Sequence, residues 1–167
     1  MTAMLMLAVQ SIYILCICYT IVSDFRNLLI PNWIIIILIS TFFFFAAIRM
    51  EPVSILVNIA VAAVVLLLFA AFFIAGWVAG GDVKFITSVA LWMGLEHVGN
   101  FLLLTALLGS LMALMLLQIK KYGFLLSEGL GNNRLFRRVS AMAESGQCPY
   151  GVAIGVAGLL LSGSLFY

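Results

Sequence analysis

Charge is scarce in this sequence. Six acidic residues, eight basic residues and a single histidine are spread over 167 positions, and 66% of the chain is hydrophobic. A fold covered by water on all sides needs more polar surface than that, so a soluble globular protein is excluded. Cysteine is rare too. Cys16 and Cys18 stand at i, i+2, which points them to different sides of a helix, and Cys148 lies far away. No Cys-x-x-Cys pair is present, so neither a zinc knuckle nor a disulfide framework is expected, and the three thiols read as small packing residues. The basic stretch after residue 119 lacks zinc-ligand and phosphate-loop spacing. No metal, no cofactor and no nucleic-acid partner are expected. The first apolar run, Met4 to Val22, has no basic region before it and no small-x-small cleavage site after it. It is too long for the core of a signal peptide and reads as a retained helix.

What is abundant is hydrocarbon. Apolar segments of roughly 18–20 residues recur, the length that crosses ~30 Å of bilayer. They fall at about Met4–Val22, Trp33–Ile48, Ser54–Ala75, Val83–Leu95, Val98–Ile119 and Tyr150–Phe166. The expected fold is all-α, a polytopic membrane bundle of six transmembrane helices forming a single domain over residues 1–167. The fourth segment is short: thirteen helical residues rise ~20 Å. Either it extends back through Gly80 and Gly81, which places Asp82 inside the membrane, or the bilayer thins locally.

Basic residues are distributed unevenly over the connections. The first, third and fifth hold Arg26, Lys84, Lys120, Lys121, Arg134, Arg137 and Arg138, while the opposite side holds Arg49. That asymmetry predicts that the odd connections are cytoplasmic and both termini lie outside. The fifth connection contains "NNRLFRRVSAM", which predicts a short interfacial helix, an amphipathic anchor on anionic lipid or a substrate-docking surface. His97, beside Glu96, falls in a loop on the outer side.

Against this background two acids stand out. Asp24 follows the first segment and Asp82 opens the fourth. Two crossings separate them, so they share one face of the membrane whatever the orientation. Two neighbouring carboxylates cannot both ionise cheaply and therefore share a proton near neutral or mildly acid pH. The ionised member can deprotonate a water and the protonated member can donate to a peptide carbonyl, which is aspartic-protease chemistry without a covalent intermediate. Gly80 and Gly81 are expected to give the backbone unusual dihedrals and let an extended substrate approach. Other readings of the same residues stay open. Each Asp can serve as a helix N-cap or dipole partner, Asp24 with Arg26 can be a solvated turn, paired glycines can serve helix packing, Lys84 can be a snorkelling anchor, and Pro31–Asn32 is a helix-start signal with Asn32 as cap.

Three stretches resemble one family. "SDFRNLLIPNWI" (residues 23–34) is similar to the first aspartate motif of prepilin peptidases, "AGGDVKF" (79–85) to their Gly-x-Gly-Asp motif, and "CPYGVAIGVAG" (148–158) to the opening of the last helix in short, pilus-assembly forms. Ala79 stands where the motif has its first glycine. The resemblance implies a bacterial intramembrane-type aspartyl endopeptidase that removes the leader of prepilins or pilin-like proteins on the cytoplasmic side of the inner membrane. It implies Asp24 and Asp82 as the catalytic pair, with Gly80, Gly81, Lys84, Pro31 and Asn32 binding substrate or shaping the loops. Its partners would be a prepilin or pseudopilin, the lipid bilayer and the pilus assembly machinery. The cysteine-rich insert of longer members is missing between Val22 and Pro31, so the likeness is to the short forms of tight-adherence pili, and methyltransferase activity is not expected. The competing readings are a small transporter or ion-pathway subunit, which would place charge deep in several helices, and a non-catalytic pilus assembly factor.

Overall fold

The computed structural model describes residues 2–130 and 133–163, with side chains over residues 4–122 and 133–163. The described residues form six helices and no strand: α1 (Thr2–Asn27), α2 (Asn32–Arg49), α3 (Pro52–Ile74), α4 (Gly80–Leu130), α5 (Arg134–Ser145) and α6 (Tyr150–Leu160). The all-helical expectation holds. Four of them (α1 from Met4, α2, α3, and α4 to Tyr122) are long and apolar enough to cross a membrane. The expected sixth segment is shorter as a helix, ending at Leu160, and its last residues, 164–166, lie outside the described residues.

α4 joins what the sequence suggests as separate fourth and fifth segments. Inside it Gly94 has φ 58° and ψ −169°, a region that side chains essentially forbid. The bend there is a reversal. Tyr150 lines the same cleft as Asp82, twelve residues before Gly94, and its ring lies against Gly109, fifteen residues after it. Both legs therefore start and return at one level, after a rise of ~20 Å each. The break frees backbone groups that hydrocarbon cannot satisfy. The buried Asn58 of α3 meets this need by donating from Nδ2 to the Leu91 carbonyl at 3.1 Å. A methyl group built on Gly94 would lie 2.5 Å from Asn58 Oδ1. Gly94→Ala should accordingly cost about 3 kcal/mol through backbone strain and loss of this contact. The melting temperature in detergent should fall well below that of Gly99→Ala, whose added methyl meets open space; equal melting of the two would count against this account of the bend.

α4 packs on α2, α3, α5 and α6, and α1 packs on α2 and α6. At the centre Trp92 stands 5.0 Å from the Tyr13 ring and 5.6 Å from those of Phe42 and Phe45. Its indole N–H donates to the Leu38 carbonyl, so the polar edge of the largest core ring is satisfied. α6 enters this core through small residues: Gly155 meets Ile21 and Ile17 of α1, and Gly158 meets Ile17, Val89 and Tyr13. Small residues at such contacts let helices approach closely where lipid offers no hydrophobic drive. The result seats the first turn of α6 beside the last turn of α1.

Candidate active site

α1 carries Asp24 in its final turn. A carboxylate there faces the negative end of its own helix dipole and needs compensation from elsewhere. The chain leaves α1 through Leu28, a non-glycine residue at φ 53° whose N–H bonds the Asp24 carbonyl at 2.8 Å. Such a conformation costs on the order of 1–2 kcal/mol. It turns Leu29 back so that Ser23 Oγ donates to its carbonyl at 2.8 Å, and Ile30 is buried. Asp24 itself is 4% exposed, so the stretch is a folded shoulder and not a solvated turn.

Asp82 is approached differently. The Val83 N–H bonds the Ala79 carbonyl at 3.2 Å, which makes α4 begin one turn before it. The Ala79 N–H reaches back to the Asp82 carboxylate, the reciprocal arm of a helix cap. Gly80 and Gly81 are ordinary first-turn helical residues, since the positive-φ glycines are Gly76, Gly94 and Gly146. The expectation of unusual dihedrals at 80–81 is corrected: the Asp82 cap keeps them helical. Their lack of side chains matters for space instead, Gly80 lying against Phe73 and Gly81 against Ile30.

The two acids line one cleft of about 690 Å³ and feel each other electrostatically. Asp82 is 8% exposed. Gly81, Asn32 and Lys84 line the same cleft, whereas Gly80 and Pro31 are not among its lining residues. Pro31 occupies the N-cap position of α2 with extended backbone (φ −68°, ψ 133°) and gives no side-chain cap. Asn32 does not cap either. It is the first helical residue, and its Oδ1 accepts from Lys84 Nζ at 3.1 Å, so the helix-start motif and the Gly-Gly-Asp-Val-Lys motif are tied across the cleft. Lys84→Met and Asn32→Leu should each lower turnover about fivefold, and the double variant should lose no more than either alone, as expected of two residues acting through one contact. Additive losses in the same kinetic assay would mean that they act separately.

Two neighbours of the acids were not singled out as site residues by sequence reasoning. The backbone N–H groups of Gly151 and Val152, in the first turn of α6, are directed at the Asp24 carboxylate. The Val152 N–H also donates to the Pro149 carbonyl at 3.1 Å, so the unfavourable end of α1 is compensated by the Gly151 N–H and the positive end of the α6 dipole. A methyl group on Gly151 would stand 2.8 Å from Asp24 Oδ2, so this position must be glycine for the helix to come so near. Oδ2 is buried and has no hydrogen-bond partner among the described residues, a rare condition for a carboxylate oxygen. The second neighbour is Cys148, which lines the cleft. Burial, and then the charges of Asp24 and Asp82, push its thiol above the usual range, so it is a poor nucleophile at neutral pH. The signal for Gly151 was present in "CPYG", a proline-opened helix beginning with a glycine, but nothing in the chain says which carboxylate that helix will meet. Among the described residues no cluster of His, Cys, Asp and Glu is arranged to hold a metal ion.

The type IV leader peptidase family matches residues 11–114, a stretch that includes both aspartates, Pro31–Asn32 and the Gly80–Lys84 segment. The chain belongs to the type IV leader peptidase family. No curated protein and no solved structure matches it. As a leader peptidase it is a membrane protein of protease type, with a substrate of the prepilin kind. In this peptidase α5, α6 and Cys148 fall outside the matched stretch, so the donors that meet Asp24 come from the remainder of the chain.

Proposed function

We propose that this leader peptidase is an aspartyl endopeptidase whose catalytic pair is Asp24 and Asp82, and that it removes the leader of a prepilin or pilin-like protein on the cytoplasmic side of a bacterial inner membrane. The observation that carries the reading is the meeting of two buried carboxylates, from the end of α1 and the start of α4, in one cleft. Pairs of acids so placed share one proton, and the dry surroundings strengthen their coupling. One carboxylate takes a proton from water as it attacks the scissile carbonyl, while the other donates to the carbonyl oxygen. The proton count is restored when the amine leaves. Both legs of α4 and helix α6 cross the membrane with α1–α3, giving six crossings with both termini outside, and the chain acts as one domain. The excess of Lys and Arg on the odd connections supports this orientation. The substrate's own apolar helix lies in the bilayer beside the enzyme, and its leader extends into the cleft. Gly81, Asn32 and Lys84 shape the floor and mouth along which it lies; Gly80 and Pro31 fix the helix starts beneath.

The test is direct. Purified protein in detergent, mixed with a prepilin bearing a basic leader, should yield two fragments separated by a single cut, read by mass spectrometry. Intact prepilin after prolonged incubation with folded enzyme would sink the peptidase reading. Prepilin that co-purifies uncut would favour an assembly factor.

A further inference from the structure

α5 differs from its neighbours in composition and in what covers it. Leu135, Phe136, Val139, Met142 and Ala143 fall on one side of the helix and Arg134, Arg137, Arg138 and Ser145 on the other. Its two ends are treated unequally. At the C-terminal end Met142 and Ala143 are buried, and from the middle Arg138 Nε donates to the Phe25 carbonyl at 2.9 Å, one residue past Asp24. At the N-terminal end Leu135 is 60% exposed, between the exposed Arg134 and Arg137. This end is well formed, for Asn133 Oδ1 accepts the Leu135 N–H at 2.9 Å and caps the helix. An exposed apolar residue flanked by guanidinium groups, at the edge of a bundle that spans a bilayer, has the pattern of a helix lying in the headgroup layer.

From this we infer that the N-terminal half of α5 docks on anionic lipid headgroups, with Leu135 entering the acyl boundary and Arg134 and Arg137 holding phosphates. Charge complementarity selects this occupant. The connection around α5 carries Lys120, Lys121, Arg134, Arg137 and Arg138 against Glu128 and Glu144, which repels a basic leader and attracts a negative surface. Arginine binds phosphate through paired N–H groups, and each basic side chain near such a surface strengthens association roughly fivefold. The helix is then anchored at two points, to lipid at one end and to α1 and the bundle at the other. Directly after it, Gly146, Gln147 and Cys148 form a wall of the aspartate cleft. Lipid composition thus sets how firmly that wall stands.

The binding test needs no activity. A Leu135→Cys chain, with its native cysteines replaced by alanine, is labelled with an environment-sensitive fluorophore and reconstituted in phosphatidylcholine vesicles with or without 30% phosphatidylglycerol (a composition of about this order gives a strongly negative surface). Emission should shift to the blue in the anionic vesicles, and the shift should vanish when Arg134→Gln and Arg137→Gln are added. The same emission in both vesicle types, or a shift that survives the double substitution, would overturn the proposal. The effect on the cleft rests on the peptidase reading and is measured separately. Wild type should process prepilin about fivefold faster in anionic vesicles, and the double Gln variant should keep the zwitterionic rate while losing most of the rise. A rise retained in full by the variant belongs to the basic leader and counts against a role for α5. Processing in neither vesicle type, with the blue shift present, is a failure of the peptidase reading alone.

Discussion

Asp82→Asn should lower leader cleavage at least a thousandfold while leaving membrane insertion and melting behaviour near wild type. The amide has the shape of the acid it replaces and can still accept from the Ala79 N–H, so the cap on α4 survives. What it cannot do is hold an exchangeable proton for the carbonyl oxygen or share one with Asp24. Acid–base catalysis by a single group contributes roughly a hundredfold to ten-thousandfold, and a pair acting as a unit is lost as a unit. Asp24→Asn should be as severe, and the double variant no worse than either single one. The measurement is the rate of appearance of mature pilin, with the amount of folded enzyme fixed by size-exclusion chromatography. Wild-type processing by Asp82→Asn would remove the dyad from the mechanism.

The second large effect is expected at a residue with no side chain. Gly151→Ala should lower turnover about a hundredfold while changing the KM for prepilin little. The new methyl would lie 2.8 Å from Asp24 Oδ2, 2.9 Å from its carboxyl carbon and 2.9 Å from the Ile30 side chain, closer than real carbon atoms pack. Either the carboxylate swings away or α6 slides outward, and in both cases Asp24 loses its place at the N-terminus of α6. A displacement near 1 Å at a reacting group costs about that factor. The comparison is Gly163→Ala, where the added methyl meets nothing within 4 Å; it should be indistinguishable from wild type. A Gly151→Ala enzyme with normal turnover would mean that the first turn of α6 does not position Asp24.

Much of this is legible in the sequence because membranes impose simple rules. Long apolar runs have to be helices, and the even number of crossings between Asp24 and Asp82 puts both on one face by connectivity alone. The cleft lined by both acids is consistent with that parity. Other features depend on tertiary placement. Gly80 and Gly81 suggest irregular backbone, yet the Asp82 cap makes them helical. Inside α4 the glycine whose dihedrals do depart from helix is Gly94, hidden in "WMGLEH"; its signal is weak because the Asn58 that stabilises the bend is far away in sequence. Asn32 looks like a cap and instead receives Lys84, a pairing that no local pattern encodes. Gly151 sits in a stretch that carries the family resemblance, but the reason for a glycine there, a carboxylate oxygen 2.8 Å from where a Cβ would stand, lies in another helix.

The seat of α6 against α1 has a consequence for biosynthesis. Asp24 leaves the ribosome long before the amides that face it in the finished protein, which belong to α6. A nascent chain still lacking α6 holds both aspartates without the second-helix donors that orient one of them. On the proposed mechanism the growing polypeptide is therefore inert, and proteolytic competence arrives in one step, when α6 enters the bilayer and closes on α1.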